Sequence, residues 1–124
     1  MKPELADIQQ KLIAILRAHE GVLRITTDTP EKFEMTGTKE TMQGKQKVSG
    51  YYFATVVPKP TDVRLYFFPA YTHPDAYADI SASLRKCLKG KSCFHLKQMD
   101  ASLEKEIKAA VAKGVKLYKQ DKLI

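Results

Sequence analysis

Gly90-Lys91-Ser92-Cys93-Phe94-His95-Leu96-Lys97 is the stretch whose reading decides the fold. Gly90 stops a helical turn carrying Leu84, Cys87 and Leu88, because glycine tolerates the left-handed backbone that ends helices. From Ser92 to Lys97 the period changes to two, with Phe94 and Leu96 on one face and Cys93 and His95 on the other. Asp100 then caps a helix whose Leu103, Ile107, Val111, Gly114 and Tyr118 recur at helical spacing. A strand between two helices, the last one amphipathic, predicts an α+β fold.

Working outward, Tyr51 to Val57 and Val63 to Phe68 are aromatic and β-branched, and Pro58-Lys59-Pro60-Thr61-Asp62 between them has turn composition. They predict an antiparallel hairpin that Pro69 ends. His73-Pro74-Asp75 opens a helical region that restarts at Ser81, a capping residue. At the other end, Leu5, Ile8, Leu12, Ile15 and Leu16 mark a helix from about 3 to 20, with Pro3 in its first turn and Gly21 as its stop. Short strands follow around Val22 to Thr27 and Lys32 to Thr36, and the polar stretch from Gly37 to Gly50 reads as a mobile hairpin or loop. The order is αβββ(β)αβα. It implies an antiparallel sheet packed against the N- and C-terminal helices, with Leu12, Ile15, Phe94, Leu96, Ile107 and Val111 buried.

A chain of 124 residues builds one modest core, so we read residues 1–124 as a single domain. Two cysteines exclude a disulfide-dense scaffold, and 28% charged residues around clear apolar periodicities exclude a disordered chain. No apolar run has the length of a membrane span or of a secretory leader's core, so a soluble cytoplasmic protein with no membrane partner is the expectation. The net charge of +7 raises the question of nucleic acid. Residues 1–37 hold five basic and six acidic side chains, and the remainder sixteen basic and eight acidic. The densest basic group, Arg85, Lys86, Lys89 and Lys91, lacks interleaved exposed aromatics and reads as a solvated helix face, so nonspecific nucleic-acid binding is a distant alternative.

No catalytic constellation or phosphate loop is present, and the chain is read as non-catalytic. Cys93 and His95 share a strand face, where they are either packing residues or a pair within reach of one metal or of each other as thiolate and imidazole. Cys87 belongs to the apolar face of its helix, His19 to a helix C-terminus and His73 to a turn. The aromatic group is the stronger signal. Tyr51, Tyr52, Phe53, Tyr66, Phe67, Phe68 and Tyr71 lie on or beside one hairpin, seven of the chain's eleven aromatics. Strand alternation turns Tyr52, Tyr66 and Phe68 away from the helices, and with Tyr71 and Lys91 they define a face for a protein partner, a second copy or a small anionic ligand.

Several of these segments resemble one family, in a local but specific match. Tyr51-Tyr52-Phe53-Ala54-Thr55, Leu65-Tyr66-Phe67-Phe68-Pro69-Ala70-Tyr71, Ile80-Ser81 through Leu84, Lys89-Gly90-Lys91-Ser92-Cys93-Phe94 and the helix with Lys113-Gly114 are similar to the YdhG-like family of small bacterial domains of unknown function. The resemblance covers roughly residues 50–119 and implies a two-layer α+β sandwich. Some members have been proposed as frataxin-like iron chaperones, which implies hard oxygen ligands on the acidic N-terminal segment. Glu4, Asp7 and Glu31 are the metal candidates, among carboxylates that also include Glu20, Asp28 and Glu34. The expectation is a binding or chaperone-type module without a resident cofactor, working through its sheet face, with iron binding as the alternative.

Overall fold

The computed structural model describes residues 3–124. Helix α1 (Pro3–Arg17) buries Leu5, Ile8, Leu12, Ile15 and Leu16 on one stripe, the consequence of apolar residues three and four apart. It is shorter than the periodicity implies. Residues 18 and 19 form a turn, Glu20 bridges to Leu23, and Gly21 takes a φ of 110°, a conformation that costs a side-chain-bearing residue dearly.

Six strands form one antiparallel sheet in the order β1-β2-β5-β6-β8-β7. They are β1 (Arg24–Thr29), β2 (Lys32–Thr36), β5 (Tyr52–Pro58), β6 (Val63–Phe67), β7 (Leu88–Lys89) and β8 (Cys93–Leu96). The polar stretch between β2 and β5 is itself a small hairpin, β3 (Thr41–Gln43) with β4 (Gln46–Val48). It leaves the sheet where Gly37 and Gly50 touch, since a Cβ on Gly50 would stand 2.0 Å from the Gly37 carbonyl oxygen. The short helix α2 (Phe68–Thr72), a 3-10 turn (Pro74–Tyr77) and α3 (Ala82–Cys87) connect β6 to β7. Asp100 caps α4 (Ala101–Gln120), its carboxylate accepting from the Leu103 N–H at 2.8 Å.

The fold is α+β, with α1 and α4 against one face of the sheet. Phe33, Ala54, Val56, Leu65, Phe67, Phe94 and Leu96 alternate onto that face, and with the apolar stripes of α1 and α4 they make one core. All six residues expected to be buried are there. A bulge interrupts the β2–β5 pairing, where Met35 faces Ala54 but Thr36 faces Tyr52. The extra residue puts Phe53 and Ala54 both inward, each fully buried, and turns Tyr52 to the opposite face.

Two expectations are corrected. Phe68 is no strand residue: β6 ends at Phe67, because Pro69 has no N–H to offer a sheet and suits the first turn of α2. The helix before Gly90 also ends sooner, since Leu88 and Lys89 are extended and pair with Phe94 and Cys93 as strand β7.

Candidate functional site

The sheet face away from the helices carries a polar row. Register aligns Glu34 of β2 with Thr55 of β5, Thr55 with Tyr66 of β6, and Tyr66 with Cys93 of β8. Directly paired residues point to the same side, so the row runs across four strands. Arg64 and His95 pair beside it. The Thr55 hydroxyl donates to Glu34 Oε1 at 3.2 Å, and the Tyr52 hydroxyl bonds to the same threonine. Thr26 donates to Glu34 Oε2 at 3.2 Å, and Lys32 Nζ lies 3.5 Å from Oε1.

Sequence reasoning missed Asp62. It was read only as part of a turn, yet its side chain is only 6% exposed and stands between Arg64 and His95 of the neighbouring strands. Arg64 Nε lies 3.2 Å from Oδ1, and His95 Nδ1 lies 3.5 Å from Oδ2. The one local signal was Asp62 and Arg64 two apart. His95 reaches them only because Arg64 and His95 are register partners.

His95 is thus directed to Asp62 and Cys93 to Tyr66, and no thiolate and imidazole pair forms. Burial pushes the Cys93 thiol up, with the Tyr66 hydroxyl pulling the other way, so sulfur stays protonated at neutral pH. Burial also pushes Tyr52 up to about 12, and its bond to Thr55 only partly offsets this. Among the described residues, no buried side-chain nitrogen or oxygen lacks a hydrogen-bond partner.

The expected aromatic face divides in two. Tyr52 and Tyr66 stand half-buried on the open sheet face. Phe68 lies at the end of the sheet, its ring 5.4 Å from that of Tyr52 and 5.7 Å from that of Tyr51. Tyr71 stacks on Phe68 at 5.4 Å with an interplanar angle of 16° and remains 51% exposed. Lys91 sits 5.8 Å from the Tyr71 centroid, within cation–π range. A line from Tyr52 through Phe68 and Tyr71 to Lys91 therefore leads off the sheet along α2 to the turn between β7 and β8.

The acidic candidates do not converge. Glu4 and Asp7 line one groove between the start of α1 and the β8–α4 connection, but Asp7 is paired with Lys11 at 3.1 Å. Glu31 lies in the β1–β2 turn and does not line that groove. Among the described residues, no group of three or more His, Cys, Asp or Glu is arranged to hold a metal ion. Among them, too, no helix is long and apolar enough to cross a membrane.

Comparison with known proteins gives no family model, no curated protein and no solved structure that matches the chain. The functional reading therefore rests on the geometry of the open face and its aromatic margin.

Proposed function

We propose that this protein is a non-catalytic binding or chaperone-type module of the YdhG-like kind, and that it receives a partner on its open sheet face. The supporting observation is the placement of Tyr52 and Tyr66 on the side of the sheet opposite to α1 and α4, in a row where Glu34, Thr55 and Tyr52 are already hydrogen bonded to one another. Paired groups need no stripping of water before a partner docks, and the two phenol rings supply the amphipathic contact area that interfaces favour. The non-catalytic part of the reading is supported by Cys93 staying a thiol and by Asp62 being occupied by Arg64 and His95.

The test is sedimentation of the purified protein together with capture from native cytoplasm, each repeated with Tyr66→Ser. Self-association or a captured protein that is lost in the variant supports the reading. A monomer that captures nothing, or a capture indifferent to Tyr66, removes it.

Frataxin-like iron binding is the second reading, supported by Glu4 and Asp7 sharing one groove. The Asp7–Lys11 pair and the separate position of Glu31 weigh against it.

A further inference from the structure

A groove of about 1010 Å³ opens on the helical flank between the α2 connection and α3, apart from the open sheet face. Its floor is apolar, formed by Ile80, Leu88 and Phe94, and its rim carries Tyr71, Arg85 and Lys91. No carboxylate lines it; Asp75 and Asp79 lie on the same connection and take no part in the lining. Neither Arg85 nor Lys91 has an ion-pair partner among the described residues. The Arg85 guanidinium is anchored instead, one Nη2 hydrogen bonding to the Ala78 carbonyl at 2.7 Å, which leaves its remaining donors free. Lys91 rests against the Tyr71 ring, which is itself fixed by stacking on Phe68.

We propose that this groove binds a small aromatic anion, its planar body on the apolar floor beside Tyr71 and its carboxylate or phosphate between Arg85 and Lys91. Charge complementarity selects the anion, since two unpaired cations flank one opening with no acid to answer them. The floor and the exposed tyrosine select the aromatic body, because a bare inorganic anion would gain nothing from Ile80, Leu88 and Phe94. The pre-stacked Tyr71 ring pays little ordering cost on binding, having already lost its rotamer freedom to Phe68.

The probe is 8-anilinonaphthalene-1-sulfonate, followed by fluorescence, with the neutral N-phenyl-1-naphthylamine as its uncharged counterpart. Saturable binding of the anion is expected, weakened about tenfold or more in Arg85→Gln/Lys91→Gln, as loss of charge-assisted hydrogen bonds implies. Binding of the neutral probe should change less than twofold in the same variant. A control with equal charge loss outside the groove, Lys105→Gln/Lys108→Gln on the exposed side of α4, should bind the anion as the parent does. Competition by 1-naphthoate and by 1-naphthyl phosphate then tells carboxylate from phosphate. The proposal is overturned if the parent shows no saturable binding, if the groove and control variants lose affinity equally, or if the neutral probe follows the anion. Should the double variant melt early, Lys91→Gln alone, which leaves the Arg85 anchor intact, carries the same comparison. None of these outcomes depends on Tyr66 or on a macromolecular partner, so this site and the sheet-face reading fail separately.

Discussion

The Tyr118 hydroxyl of α4 donates to the Tyr52 carbonyl of β5 at 2.5 Å, joining the last helix to the strand at its bulge. Tyr118 is fully buried, with its ring edge-on to both Tyr51 and Phe53. Tyr118→Phe keeps those ring contacts and orphans one carbonyl, and should cost about 1–3 kcal/mol in denaturant melts. Tyr118→Ala should cost more, about 3–5 kcal/mol, by adding a cavity. A Phe variant as stable as the parent would show the hydrogen bond to be unimportant.

Gly114 lets α4 approach the α2 connection. A Cβ there would stand 2.9 Å from Phe67 Cζ, 3.0 Å from Pro69 Cγ and 3.1 Å from the Tyr77 hydroxyl. Alanine favours a helix over glycine by about 1 kcal/mol, whereas overpacking costs about 1–3 kcal/mol. Gly114→Ala is therefore expected to lower the melting temperature. A rise would mean that Phe67 and Pro69 yield easily.

Tyr66 and Phe68 should respond differently to serine. Tyr66 stands on the open face, so Tyr66→Ser should change stability by less than about 1 kcal/mol. Phe68 touches the rings of Tyr51, Tyr52 and Tyr71, and aromatic pairs contribute about 0.5–1.5 kcal/mol each, so Phe68→Ser should destabilise by about 1–3 kcal/mol. Equal losses in chemical denaturation would show that both residues serve the core.

Alkaline pH should unfold the protein as its tyrosines ionise. Burial raises the phenols of Tyr52, Tyr77 and Tyr118, Tyr52 to about 12, while an unfolded tyrosine titrates near about 10. Below pH of about 10 both states hold the proton and nothing is lost. Above it the unfolded chain releases protons that the folded chain keeps, so stability falls as pH rises toward the folded values. Phenolate absorbance from the buried tyrosines should appear together with loss of ellipticity, and its appearance at lower pH than unfolding would contradict the burial.

Ferrous iron, titrated anaerobically in a calorimeter, is expected to bind no more tightly than about millimolar, and Glu4→Gln/Asp7→Asn/Glu31→Gln should leave that unchanged. Micromolar binding lost in the triple variant would favour the iron reading over the sheet face.

The apolar periods around Leu12, Ile107 and Val111 and the alternation of Phe94 and Leu96 were legible in the sequence as helix, helix and strand. Each residue's direction there follows from its near neighbours along the chain. That determined the α+β class, the Ser81 and Asp100 caps, and the burial of Leu12, Ile15, Phe94, Leu96, Ile107 and Val111. The bulge at Phe53, the β7 pairing and the end of β6 before Phe68 depended on which strand lies alongside, and no local period carries that. For the same reason Asp62 looked like a turn residue until register brought His95, thirty-three positions away, against it beside Arg64. Tertiary structure alone also divided the aromatic face, leaving Tyr66 on the sheet while Tyr71 and Lys91 joined Arg85 at the groove. Long-range pairing decides these placements because strand register and helix docking are set by contacts between distant segments.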